Sequence, residues 1–196
     1  DGILFRSSSP CNAHFKRDRL VDSLCKKYGI KTFINLSDPL DEIEENKKRI
    51  GVENSYYFQQ NVLALGLPAD FGSVEFGHGI AAGIRYMLSH EGPYLFHCIE
   101  GKDRAGFFAA LLEAFMGASI DEVMDEYLIS FINYFKIEKD DPVKAVLKFK
   151  IVELLELIFA TTVSGKNITE LTTNYFKKIG LTNEELNSFR NLLSGN

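Results

Sequence analysis

The sequence predicts an α/β protein with a small, mostly parallel central sheet flanked by helices and a helix-rich C-terminal half. Three observations lead there. In the N-terminal half, short apolar runs alternate with helical patterns. From Arg104 onward the pattern is almost wholly helical. Strands separated by helices pair in parallel, because each return to the sheet crosses over through a helix. With 196 residues and no Pro/Gly/Ser-rich linker, the chain is expected to form one domain, 1–196, around one core.

The elements follow in order. Gly2 to Arg6 is a short apolar run read as a strand and broken by Ser9-Pro10. A helix is expected from about Asn12 to Tyr28, with Phe15, Leu20, Val21, Leu24 and Tyr28 near helical spacing and Gly29 as its stop. Lys31 to Leu36 reads as a second strand, followed by the turn Ser37-Asp38-Pro39. Asp41 to Arg49 is charged throughout and reads as a short exposed helix, and Asn54 to Gln59 as a third strand. Phe71 to His90 looks helical in spite of four glycines, and Tyr94 to Phe96 is a fourth strand after the Gly92-Pro93 break. Five helical stretches follow: Ala105 to Phe115, Ile120 to Tyr134, Val143 to Ile158, Ile168 to Ile179 and Asn183 to Leu193. The last is entered through Thr182-Asn183-Glu184-Glu185, a good start signal. Residues 119–162 exceed what a minimal sheet needs and are read as a helical lid or insertion, or as ordinary core.

Composition narrows the function. Lys and Arg total 22 against 27 Asp and Glu, a net charge of −5. Sequence-independent nucleic-acid binding needs concentrated positive charge, so no nucleic-acid partner is expected. No run of about 18 apolar residues exists, so no transmembrane segment is expected. Three cysteines, Cys11, Cys25 and Cys98, suggest no disulfide framework, and none has zinc spacing. No metal and no cofactor are expected. The chain begins at Asp1 rather than Met, which leaves the compartment open between cytoplasm and secretion. Nothing in the sequence sets an oligomeric state.

The informative segment is Tyr94-Leu95-Phe96-His97-Cys98-Ile99-Glu100-Gly101-Lys102-Asp103-Arg104-Ala105-Gly106. A strand, a tight turn and a helix start collect backbone N–H groups that lack partners and need an acceptor, which a phosphate supplies. Ile99, Glu100, Gly101, Lys102, Asp103 and Arg104 are therefore the candidate phosphate-binding residues. Backbone donors and a helix dipole favour the thiolate form of a cysteine placed among them, which marks Cys98 as the candidate nucleophile. Arg104, six positions on, offers a planar fork for two phosphate oxygens. Gly101 permits a backbone twist that a side chain would block. The spacing alone is weak evidence, because Cys11 and Arg17 share it without a preceding strand or an intervening glycine.

His-Cys-x-x-Gly-Lys-Asp-Arg-x-Gly resembles the signature loop of cysteine-dependent protein tyrosine phosphatases. The Gly101 to Arg104 variant is similar to a bacterial branch, the atypical tyrosine and phosphoinositide phosphatases. Phe5-Arg6-Ser7 resembles that branch's N-terminal Arg-Ser element, and Tyr175 to Leu193 its C-terminal helix pair. The resemblance implies a tyrosine-phosphatase-like fold, a phosphocysteine intermediate, no metal, and a phosphorylated protein or phosphoinositide as substrate. Two departures stand out. Ala105 occupies the place where the family usually has Thr or Ser, whose hydroxyl assists the thiolate as leaving group. Asn35-Leu36-Ser37 stands where the branch tends to have Asp-Leu-Arg.

A general acid is required to protonate the leaving oxygen. Asp103 is the first candidate, with Asp70 and Asp38 behind it; each also reads as a turn or cap residue. Lys102 reads either as a second cation for a highly anionic substrate or as a solvated loop lysine. His97 is expected to orient the loop, Arg6 to contact substrate or the sheet edge, and Glu100 to be exposed. The competing readings are a phosphate-binding module that turns over poorly, which Ala105 favours, and a sulfur-transfer or arsenate-reducing enzyme on a similar loop.

Overall fold

The computed structural model describes residues 2–13, 16–49 and 54–195. The sheet has four strands, all parallel: β1 (Leu4–Ser8), β2 (Thr32–Asn35), β3 (Asn61–Ala64) and β4 (Tyr94–Cys98), in the order β1-β4-β2-β3. Among the described residues eight α-helices surround it: α1 (Asp18–Lys27), α2 (Leu40–Lys47), α3 (Val74–Ser89), α4 (Arg104–Met116), α5 (Ile120–Phe135), α6 (Val143–Phe159), α7 (Ile168–Lys178) and α8 (Asn183–Ser194). The predicted fold class is therefore the observed one. The central strands β2 and β4 are buried at every position, as expected for strands covered on both faces.

Two expectations are corrected. The third strand is not at Asn54 to Gln59, which holds a short 3-10 turn at Tyr57–Gln59; the strand begins afterwards, at Asn61. The Asp22 carboxylate accepts the backbone N–H groups of Tyr56 (3.0 Å) and Tyr57 (2.7 Å), so those donors are not free for a ladder. The ring of Tyr57 is meanwhile fully buried and its hydroxyl accepts a hydrogen bond from Asn35. The first helix begins at Asp18 rather than near Asn12. Ser9 Oγ takes the N–H groups of Cys11 and Asn12, and Lys16 adopts a left-handed φ of 55°, which no helix continues through. His14 and Phe15 of the expected helix lie outside the described residues.

The glycines of α3 have a packing reason. A Cβ added at Gly79 would stand 2.2 Å from Leu67, and one at Gly83 would stand 3.2 Å from Ile34 of β2. The bare helix surface thus lets the sheet and the loop after β3 approach closely. On the same side, α4 forms the centre of the main core, with Phe107, Phe108, Ala110, Leu111, Ala114 and Phe115 all fully buried. Each large side chain there contributes roughly 1.5–3 kcal/mol. A second cluster of Cys11, Cys25, Ile30, Phe33, Tyr57 and Leu95 fills the opposite face.

Candidate active site

Parallel pairing brings the carboxyl ends of all four strands to one edge, the usual place for a ligand in an open α/β sheet. In register, Ser8 of β1 stands beside Cys98 and Asn35 of β2 beside His97. The chain continues this pairing past the strand ends: Ser9 N–H donates to the Ile99 carbonyl (3.1 Å) and Leu36 N–H to the His97 carbonyl (2.9 Å). The loop from Cys98 to Arg104 is thereby held on both sides before α4 begins.

A cleft of about 420 Å³ opens at this edge, lined by Asn12, Glu42, Cys98, Ile99, Glu100, Asp103 and Arg104. Cys98 is buried, and the Gly101 backbone N–H donates to its sulfur at 3.3 Å. Gly101 has φ +83°, and a Cβ there would meet the Ser7 and Ser8 backbone at 2.7 Å. Only glycine fits this turn, as the sequence anticipated. Arg104 is anchored through Nη1 to the carbonyls of Leu67 (2.8 Å) and Ser37 (3.4 Å). Its guanidinium is therefore positioned by the loops that leave β2 and β3.

The acidic candidates separate. Asp103 is the N-cap residue of α4 and lines the cleft; its carboxylate pairs with Lys102 Nζ at 2.6 Å. Asp70 is exposed in the turn before α3, where its side chain accepts the Gly72 N–H, and it is not among the cleft residues. Asp38 is fully buried and accepts hydrogen bonds from Asn35 (3.1 Å) and Ser37 (3.2 Å). Asn35 in turn accepts the backbone N–H groups of Ser37 and Asp38, which closes the turn after β2.

The remaining expected residues sit around the loop. Lys102 is buried rather than solvated, paired with Glu100 and Asp103, and its Nζ stands 5.2–5.5 Å from the rings of Phe131, Tyr134 and Phe135. Burial pushes its pKa down, but the hydrogen bonds and charges of Asp103 and Glu100 outweigh this and raise it. Glu100, expected to be exposed, is half-buried by the same ion pair. Arg6 lies behind the loop, bound to Glu126 and to Ser130 Oγ (2.6 Å), beside a second cavity that Gly101, Lys102 and Arg17 also line. His97 is fully buried; burial drives its pKa down to about 4, against the opposing charge of Asp38 and a backbone hydrogen bond at Cys98. Cys11 and Cys25 are buried thiols, each with a pKa raised by burial to about 12. Arg17, the second half of the Cys11 spacing match, stacks over the Tyr134 ring instead.

Two cleft residues were not anticipated, Asn12 and Glu42. Glu42 lies in the acidic run Asp41-Glu42-Ile43-Glu44-Glu45, whose composition is that of a solvated helix face, and no sequence signal separates it from its neighbours.

The sequence profile described as "Tyrosine phosphatase family" matches residues 72–195, a span running from α3 through β4 and the loop to the end of α8. The chain belongs to the tyrosine phosphatase family. It is a phosphatase enzyme built on cysteine chemistry, the class to which the loop of Cys98 pointed. Among solved structures the phosphatase is similar to the core catalytic domain of the PP-IP phosphatase SIW14 from S. cerevisiae, crystallised with citrate. That likeness has 19% identity and a TM-score of 0.48, and covers 76% of this chain and 88% of that one. No curated protein sequence matches the chain. Among the described residues no helix is long and apolar enough to cross a membrane, and no group of three His, Cys, Asp or Glu is placed to hold a metal.

Proposed function

We propose that this phosphatase hydrolyses phosphate monoesters through a phosphocysteine intermediate on Cys98, with phosphotyrosine in proteins as the substrate class. One observation carries the reading: Cys98 and Arg104 line the same cleft at the start of α4, with a loop N–H on the sulfur and the guanidinium anchored from behind. The phosphate rests on the loop N–H groups and Arg104, which stabilise the charge of the transferring group without reorganising. The Cys98 thiolate attacks phosphorus in line. The bond from phosphorus to the ester oxygen breaks, and that oxygen leaves with its electron pair and takes a proton. Water then attacks phosphorus, the S–P bond breaks, and inorganic phosphate and the thiolate are released. Asp103 and Glu100 serve by fixing Lys102 within the loop.

The test compares wild type with Cys98→Ser on an aryl phosphate, and quenches wild type in acid during turnover of a radiolabelled substrate. Turnover falling to background in the variant, with label bound covalently to wild type, is expected. Equal rates in the two proteins would overturn the assignment. A second reading, a phosphate-binding module with little turnover, is favoured by Ala105; it predicts near-zero rates in both proteins with phosphopeptide binding retained. A panel of phosphotyrosine peptides, phosphothreonine peptides and inositol phosphates tests the substrate class, and turnover confined to inositol phosphates would overturn phosphotyrosine.

A further inference from the structure

Resting on that reading of Cys98, we infer that Glu42, at the start of α2, is the catalytic acid that protonates the leaving oxygen. Among the described residues, three carboxyl groups line the cleft: Glu42, Glu100 and Asp103. Glu100 and Asp103 both turn their carboxyl oxygens to the Lys102 ammonium, which occupies them within the loop. Asp38 is sealed beneath the turn, and Asp70 lies outside the cleft lining. Glu42 is the remaining acid. Its Oε1 accepts a hydrogen bond from Asn12 Nδ2 at 3.2 Å, a neutral amide that orients the carboxyl without taking its proton.

The charges around Glu42 support the role. Burial, and then Asp38, Asp41 and Glu45, raise its pKa, and the Arg104 guanidinium pulls the other way. The rise occurs although Glu42 sits in the first turn of α2, where the helix dipole favours a carboxylate. A phosphate dianion entering the cleft adds another like charge and favours the protonated form further. In the first step the Glu42 proton passes to the ester oxygen as the bond from phosphorus to that oxygen breaks, leaving Glu42 ionised. In the second step the carboxylate accepts a proton from the attacking water and is restored.

The test uses wild type, Glu42→Gln, Glu42→Asp, Asp103→Asn and Cys98→Ser with a series of substituted phenyl phosphates. Glu42→Gln is expected to lower kcat/KM for phenyl phosphate by about 10²- to 10⁴-fold, and for 4-nitrophenyl phosphate, whose oxygen leaves without help, by less than about tenfold. Rates should depend more steeply on the leaving group, and the alkaline fall of the wild-type pH profile should be lost. Glu42→Asp should recover part of the phenyl phosphate rate. Retained binding of vanadate by Glu42→Gln shows that the cleft is intact. Equal loss on both esters, an unchanged alkaline limb, or a leaving-group split in Asp103→Asn instead would overturn the assignment. Full turnover by Cys98→Ser would overturn the covalent reading itself, a separate outcome from any failure at Glu42.

Discussion

Ala105 stands where the loop's resemblance implies a Thr or Ser. It is fully buried in the first turn of α4, directly after the anchored Arg104. An alanine there provides no hydroxyl to stabilise a departing thiolate, so under the proposed mechanism breakdown of the phosphocysteine is expected to be the slow step. Rapid mixing of wild type with an aryl phosphate should then show a burst of phenol followed by slow turnover. Ala105→Ser, which adds one oxygen, and Ala105→Thr should both speed the slow phase; overpacking of about 1–3 kcal/mol is the cost to watch in the threonine variant. An unchanged slow phase in both variants would contradict the expectation.

Between elements, the contact of β1, α4 and α5 contains a half-buried charge cluster formed by Arg6, Glu113 and Glu126. Burial and then the Glu126 charge raise the Glu113 pKa to about 8, with Arg6 opposing. The folded state therefore keeps a proton on Glu113 across a range where the unfolded chain has released it, starting near 4.5. Protons bound preferentially by the folded state make stability fall as pH rises. His97 acts in the opposite sense, because the unfolded histidine protonates at about 6.5 and the folded one at about 4, so stability is lost as pH falls through that range. The two slopes oppose each other below pH 6.5, and Glu113 acts without His97 above it. Wild type is expected to lose about 2–4 °C in Tm from pH 6.5 to 8, the change that roughly 1 kcal/mol produces in a domain of this size. Glu113→Gln should remove that slope, as followed by thermal melting at several pH values; an identical slope in the variant would exclude Glu113 as its source.

At the scale of the whole molecule, 119–162 bears on how the domain is divided. The helices α5 and α6 bury Val123, Tyr127, Phe131, Ile151, Leu155 and Ile158 in the core that α4 and β4 share. The outer face of α6 carries Val146, Phe149 and Leu157, all more than half exposed. We propose that this segment belongs to the main core of a single domain, 1–196, rather than to a detachable lid. Deleting 119–162 should abolish cooperative unfolding, as read by calorimetry, because it strips one side of α4. A truncated protein that still melts in one sharp transition would favour a lid.

The loop from Cys98 to Arg104 was legible in the sequence because its strand, glycine turn and helix start are contiguous, so local geometry alone carries the pattern. The helical C-terminal half was legible through its periodicity, and Thr182 forms the capping box with Glu185 that its start signal implied. The third strand was misplaced because side chains distant in sequence, Asp22 above all, decide what the Tyr56 and Tyr57 backbone does. Lys102 read equally well as solvated, since its partners Phe131, Tyr134 and Phe135 arrive on α5. What the sequence by itself determined is the class of fold and a strand, glycine turn and helix start around one cysteine. What only the tertiary structure decided is the company that cysteine keeps. The strand order β1-β4-β2-β3 sets the segments after β1 and β2 on either side of the loop, and so brings Asn12 and Glu42 to line one cleft with Cys98. Contacts of that kind depend on which strands lie side by side, a property of the folded sheet that no local stretch of residues encodes.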